Sequence, residues 1–305
     1  MTTTRSMNAM AGFDWLKRGI NLGRNNPKAI FGGAALLLLA MVVLAIAVGL
    51  LQVLLQSMLT PGIAGSMAIM AVTALPLLLA MAVLMTGYLR LVHAVESSRP
   101  ARATDVFRAF SETGVAWRMF GFMVVLTVIQ YALMIGVLMV VAAEAVSWYV
   151  QTMQAATSGV APAITGLPDG IGLAYAVMVV IGLAFYAVQS IGLGQIALHG
   201  RRVFPALADG FAGAVKNVLP LLMLLVAYVL LFVVAMVVVF LLAMLFAMLS
   251  KVALWLVVVL AVPLYLAALL AIVVISFGVM YALWRDVCGD GGDDLAEAPA
   301  DALTA

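Results

Sequence analysis

Charge is what this chain has least of. Only 9% of its 305 residues are Asp, Glu, Lys or Arg, against 67% hydrophobic residues. A soluble globular protein carries roughly 25% charged residues, so a water-facing surface cannot be covered from this composition. One cysteine, Cys288, excludes an intrachain disulfide framework and a cysteine-rich metal site. The two histidines, His93 and His199, have no second ligand at a metal-compatible spacing. No Walker loop, zincin helix, dinucleotide fingerprint or serine-nucleophile elbow occurs. Nothing therefore specifies a catalytic group, a metal or a cofactor. The basic residues are scattered along the chain rather than gathered on one domain, which argues against a nucleic-acid partner.

Long apolar stretches are what it has in abundance. A membrane-spanning helix needs about 20 mostly apolar residues. Six runs satisfy this, roughly 30–56, 66–92, 117–147, 170–198, 218–249 and 252–284. The first is too long for the core of a secretory signal, and reads as a retained span. The last two are separated only by Ser250-Lys251, where the chain must turn. The fold class expected is all-α, a polytopic transmembrane bundle of six spans in three parallel helical hairpins. Residues 11–288 form its single domain. Residues 1–10 and the acidic Gly/Ala-rich tail 289–305 are expected to be disordered.

Orientation follows from Lys and Arg. Fourteen of the fifteen fall in the N-terminal segment, the second and fourth connections, or after the sixth span; the exception is Lys251. That side is expected to be cytoplasmic, with both termini there, in a bacterial inner membrane. The loops 57–65 and 148–169, which lack Lys and Arg, are expected outside.

Three approach segments precede the odd-numbered spans. Phe13, Leu16 and Ile20, then Phe107 and Phe110, then Phe204, Leu207 and Phe211 recur at helical spacing between charged residues. Thr104 or Asp105 is placed to cap the second. Such helices either lie in the headgroup layer or pack on the bundle as connectors. Each ends in a similar junction: Gly23-Arg24-Asn25-Asn26-Pro27, Gly114-Val115-Ala116-Trp117-Arg118, and Gly213-Ala214-Val215-Lys216-Asn217. The spacing suggests three repeats, 11–98, 99–200 and 201–288, about a pseudo-threefold axis along the membrane normal.

Few residues inside the spans are polar. Gln130 and Gln189 fall near the midplane by residue count. They could meet each other, or line a polar path with Gln195, Thr86 and Ser276. Glu144 falls near the outer interface beside Trp148 and Tyr149. In the fourth run Gly172, Gly182, Ser190, Gly192 and Gly194 offer small-xxx-small faces for close helix packing or for a homo-oligomer contact. Pro76 and Pro263 are expected to kink their spans.

Arg99-Pro100, Thr104-Asp105-Val106-Phe107 and the terminal Tyr281-Ala282-Leu283-Trp284-Arg285-Asp286 carry a resemblance. The chain is similar to an uncharacterised family of proteobacterial six-span inner-membrane proteins, itself similar to the membrane domain attached to some glycerophosphodiester phosphodiesterases. The resemblance implies a bacterial inner-membrane protein of unassigned activity; the catalytic domain of those fusions is absent, so their hydrolase activity does not transfer. The expected function is non-enzymatic: a structural, scaffold or lipid-associated role, with membrane lipids as partners. The alternative is a transporter of an apolar or weakly polar small molecule.

Overall fold

The computed structural model describes residues 4–59, 62–141, 143–157, 170–250 and 254–289. Among these residues it contains helices and turns and no strand. In chain order the α-helices are α1 (Ala11–Asn21), α2 (Pro27–Leu59), α3 (Ile63–Glu96), α4 (Thr113–Val141), α5 (Ala143–Thr157), α6 (Ile171–Ala197), α7 (Val203–Lys216), α8 (Val218–Ser250) and α9 (Leu254–Cys288). A 3-10 turn, Leu22–Arg24, follows α1, and a 3-10 helix, Ala103–Ser111, precedes α4. Six helices, α2, α3, α4, α6, α8 and α9, are long and apolar enough to cross a membrane. This is a multi-pass membrane protein by the length and composition of those helices.

Local chemistry sets the helix starts. Asn8 Oδ1 accepts the Ala11 amide at 3.0 Å and opens α1. Asn26 Oδ1 accepts the Ala29 amide at 3.1 Å, and Pro27 occupies the first helical position, where its missing N–H costs nothing. Asp105 accepts the Arg102 amide at 2.8 Å and opens the 3-10 helix. At the other end, α3 closes in a Schellman turn. The Arg99 amide donates to Ala94 and the Ser98 amide to Val95, with Ser98 left-handed at φ 55°. After α6 the left-handed residue is Gly200 at φ 64°, and the bonds differ: the Gly200 amide donates to Ile196 at 3.2 Å and the Arg201 amide to Gln195 at 3.0 Å.

Three inner helices, α3, α6 and α9, touch one another, and α2, α4 and α8 stand outside them. Each outer helix packs on its own partner and on a second inner helix: α2 on α3 and α9, α4 on α6 and α3, α8 on α9 and α6. The short segments do not pack where chain order alone would put them. The 3-10 helix lies on α2 and α3, which precede it, and α7 lies mainly on α6. The N-terminal α1 lies on α8 and α9, the last pair.

Burial is concentrated at the end that carries these short helices. Trp15, Ile30, Tyr88, Phe122, Ile191 and Leu224 are fully enclosed there. Away from it the spans lose protein neighbours. Residues 232–241 of α8 and 262–268 of α9 are exposed without interruption. At 3.6 residues per turn, runs that long are open on every face.

Several expectations change. Residues 4–10 are held rather than loose: the Arg5 amide donates to the Val287 carbonyl at 2.9 Å, and the Met7 amide to Asn217 Oδ1 at 2.8 Å. Within the run 117–147, α4 reaches Val141 and α5 starts at Ala143, residue 142 lying outside the described residues, and 148–157, expected in a loop, belong to α5. Glu144 is thus an exposed residue in the first turn of α5. Pro76 and Pro263 lie inside helices that continue on either side. The turn at Lys251, loop residues 158–169 and tail residues 290–305 lie outside the described residues.

Candidate functional site

Several polar residues of the spans gather where α3, α6 and α9 end together. α3 brings Arg90 and His93, α6 brings Gln195, the turn after it brings His199, and α9 brings Tyr281 and Trp284. His93 Nδ1 shares a hydrogen bond of 3.1 Å with Tyr281 Oη. His199 Nδ1 shares one of 3.0 Å with Gln195 Oε1. Both imidazoles meet the Trp284 indole edge-on, with ring centroids 6.3 Å and 5.2 Å away. Trp284 lies flat over Gly194, where a Cβ would come within 2.2 Å of the indole. Only glycine admits the ring at that height. Arg90 donates from Nε to the Ala197 carbonyl at 2.8 Å and pairs with Glu112 at 2.8 Å. It satisfies an orphan carbonyl at the C-terminus of α6, where a cation also complements the helix dipole.

This cluster joins three helices and has little room inside it. A neighbouring cavity of about 20 Å³, lined by Arg18, Glu96, Tyr281 and Arg285 among others, is the size of one water. Two buried donors, Gln195 Nε2 and Trp284 Nε1, have no hydrogen-bond partner among the described residues. The described residues contain no group of three His, Cys, Asp or Glu side chains that could hold a metal ion. Each imidazole is engaged through Nδ1 by a neutral group, Tyr281 Oη for His93 and Gln195 Oε1 for His199.

The sequence allows Gln130 and Gln189 to meet each other, or to line a path with Gln195; the side chains of Gln189 and Gln195 have other partners. Gln195 belongs to the end cluster, two residues before the end of α6, and not to the middle of the span. Gln189 points its amide at the Met123 sulfur, 4.0 Å away, instead of at Gln130. Gln130 is half-buried on α4. Thr86 and Ser190 turn their hydroxyls onto their own helices, to Ala82 at 2.8 Å and Tyr186 at 2.6 Å. Tyr186 in turn donates to the Ser276 carbonyl at 3.2 Å and ties α6 to α9.

The small residues of α6 divide in the same way. Ser190 and Gly194 are in the packed half, and Gly192 faces the Phe122 ring, where a Cβ would be 2.1 Å from Cζ. Gly172 and Gly182 face open space, with no atom within 4 Å of an added Cβ. They contribute no close packing within this chain. The closest helix approaches lie elsewhere. A Cβ on Gly12 would reach Pro220 O at 2.2 Å, one on Gly87 would reach Val106 O at 1.9 Å, and one on Gly278 would reach the Gly19 Cα at 2.6 Å. The signal for two of these is present in the sequence, as glycines at positions 12 and 19 of an otherwise amphipathic segment.

A second feature is apolar. Between α6, α7 and α8 runs a groove of about 130 Å³, lined by Leu183, Ala184, Val188, Phe211, Val215 and Val218 among others, with no polar side chain in its wall.

No known protein family matches the sequence, and no curated protein or solved structure is similar to it.

Proposed function

We propose that this is a non-enzymatic protein of a bacterial inner membrane that holds and orders lipid beneath a rigid polar platform. The observation that supports this reading is the contrast along the spans. At one end the helices are packed and their polar groups are mostly paired; further along, α8 and α9 stand apart with every face open. Apolar helices that diverge leave wedges that acyl chains can fill, since lipid tails solvate such surfaces as well as another helix does.

The platform end has the composition of a membrane interface. Phe110, Trp117, Phe204 and Phe211 are exposed there, among Arg108, Arg118 and Arg202. Aromatic rings at headgroup level and cations toward anionic lipid are the arrangement of interfacial helices. On this reading the platform faces the cytoplasm and offers a surface on which other proteins can assemble. The midplane amides do not join into a polar route, which favours the lipid role over solute transport.

Native mass spectrometry in mild detergent, paired with solute-flux assays in proteoliposomes, tests the reading. Retained phospholipid and no flux of small neutral solutes are expected. Saturable flux from a protein that carries no lipid would overturn it.

A further inference from the structure

We infer that the acidic stretch after α9, residues 290–301, docks on the basic corner formed by Arg5 and Lys216 and screens that corner from anionic lipid. The inference does not depend on the lipid-holding role proposed above.

Hydrogen bonds around the end of α9 place the corner. Residues 4–7 run between the last turn of α9 and the junction of α7 with α8. On the α9 side, the Arg5 amide donates to the Val287 carbonyl at 2.9 Å. On the other side, Asn217 Nδ2 donates to the Arg5 carbonyl at 2.9 Å, the Met7 amide to Asn217 Oδ1 at 2.8 Å, and Ser6 Oγ to the Lys216 carbonyl at 3.3 Å. Lys216 turns its ammonium onto the same segment, to Thr4 O at 3.0 Å and Thr4 Oγ1 at 2.9 Å. It is also one of the charged groups whose field reaches the thiol of Cys288, the last residue of α9. The chain leaves the helix at Gly289, whose amide closes the last turn on the Trp284 and Arg285 carbonyls at 3.1 Å. Arg5 and Lys216 flank that exit.

The sequence that leaves there has the opposite charge. Asp290, Asp293, Asp294, Glu297 and Asp301 follow, with no Lys or Arg among them. From Val287 to Asp294 an extended chain reaches up to ~25 Å, ample for cations bonded to the last turn of α9. The corner has room for carboxylates. Thr4 offers Lys216 neutral oxygens, which leaves one of three ammonium donors over. Arg5 is exposed. Asp209, whose charge also reaches Cys288, is paired with Arg201 at 2.6 Å. The face of α1, which also lies on α9, is already balanced: Lys17 shares it with Asp14, and Arg18 pairs with Asp286. A single exposed ion pair holds little. Here several carboxylates are tethered beside two cations, at an effective concentration on the order of millimolar.

Zero-length carbodiimide cross-linking of the full chain tests this, because it joins a lysine ammonium only to a carboxylate in contact with it. Lys17, Lys28, Lys216 and Lys251 are the lysines available. In mild detergent at about 50 mM salt, peptide mass spectrometry should find Lys216 linked to Asp290, Asp293 or Asp294 about five-fold more often than Lys17 or Lys28. About 0.5 M salt, which shortens the Debye length to about 4 Å, should lower that yield about three-fold or more. Arg5→Gln removes a charge from an exposed side chain and leaves the backbone bonds and the tether intact; it should lower the yield by a similar factor. The link should persist in vesicles of phosphatidylglycerol. Links spread evenly over Lys17, Lys28 and Lys216, or none at Lys216, overturn the docking site. A yield that neither salt nor Arg5→Gln lowers is proximity through the tether alone and overturns the electrostatic contact. A link present in phosphatidylcholine vesicles and lost in phosphatidylglycerol assigns the corner to anionic lipid and overturns the acidic stretch as its occupant.

Discussion

The first and last helix pairs are closed by similar short helices that reach them in opposite ways. On α2 and α3 the cover is the 3-10 helix Ala103–Ser111, which follows α3 after a few residues. On α8 and α9 it is α1, which lies at the far end of the sequence. The polar device at the edge of each cover is alike. Asn26 Nδ2 reaches the Ala101 carbonyl at 3.5 Å, just before the 3-10 helix. In the middle pair, Arg118 donates to the Gly200 carbonyl, just before α7. In the last pair, Asn217 donates to the Arg5 carbonyl, just before α1. Arg118 and Asn217 also donate to the carbonyl four residues back, those of Gly114 and Gly213. The difference between the pairs is connectivity. Closing a loop of about 200 residues instead of about six costs roughly 3 kcal/mol more in chain entropy. The last seam correspondingly has more bonds across it: Trp15 and Arg18 to Asp286, Lys216 to Thr4, Met7 to Asn217 and Arg5 to Val287.

The strongest way to break that comparison is to push each cover off its pair. Gly12→Leu drives a side chain into the α8 backbone, and Gly87→Leu drives one into the backbone at Val106. Both should cost roughly 3 kcal/mol or more in thermal stability. The fragments they release should differ. Once α1 is displaced it is tethered only through α2, so limited proteolysis should remove the N-terminal segment of Gly12→Leu. The displaced 3-10 helix stays tied between α3 and α4, so Gly87→Leu should be nicked there and keep both pieces bound. Identical cleavage patterns would show that connectivity does not distinguish the two seams.

A smaller change addresses the bonds that hold the last seam. Asp286 accepts the Trp15 indole N–H at 2.8 Å and pairs with Arg18. Asp286→Ala removes both and should cost about 2 kcal/mol. Asp286→Asn keeps an acceptor for Trp15 and should cost about half as much, because Arg18 is partly exposed and its pair is screened. The hydrogen bond to Asp286 raises the Arg18 pKa further above its already high value. Stability from a raised pKa is present below the unfolded value and lost only as pH rises through the folded one. The seam should therefore melt at the same temperature at pH 7 and pH 10 as far as Arg18 is concerned.

The depth of legibility in the sequence depends on what determines each feature. Six spans are readable because the lipid environment imposes length and apolar composition on each separately. The junctions at Gly23, Gly114 and Gly213 are readable for the same local reason, and they fall at the three seams. That α1 covers the last pair is not readable, because no local pattern in residues 11–21 says which distant helix receives Gly12 and Gly19. Gly172 and Gly182 mislead for a related reason. A small residue permits close approach only where it faces another helix; at that depth α4 packs on Ala174 through Leu138 and Val141, and Gly172 and Gly182 face elsewhere. Counting residues assigns Gln130 and Gln189 a depth but not a facing. Rotation about each helix axis decides that Gln189 faces Met123, and the nearly uniform apolar composition of α4 and α6 carries no signal for it.

The finest test uses the turns that lead out of α3 and α6. Both end in a left-handed residue, Ser98 after α3 and Gly200 after α6. An L-residue in that conformation has its Cβ crowded against the following carbonyl, and glycine has no such contact. Ser98→Gly should therefore stabilise the protein, by up to about 1 kcal/mol once the greater freedom of glycine in the unfolded chain is subtracted. Gly200→Ser should do the reverse by a similar amount, since nothing closer than Arg118 at 3.9 Å opposes an added Cβ and only the backbone conformation resists it. The two changes exchange the residues at the two left-handed positions, so the double variant should melt within a degree or two of the wild type. A double variant well below the wild type would mean that Gly200 is needed for its carbonyl geometry toward Arg118, and that the middle seam depends on its turn in a way the first does not.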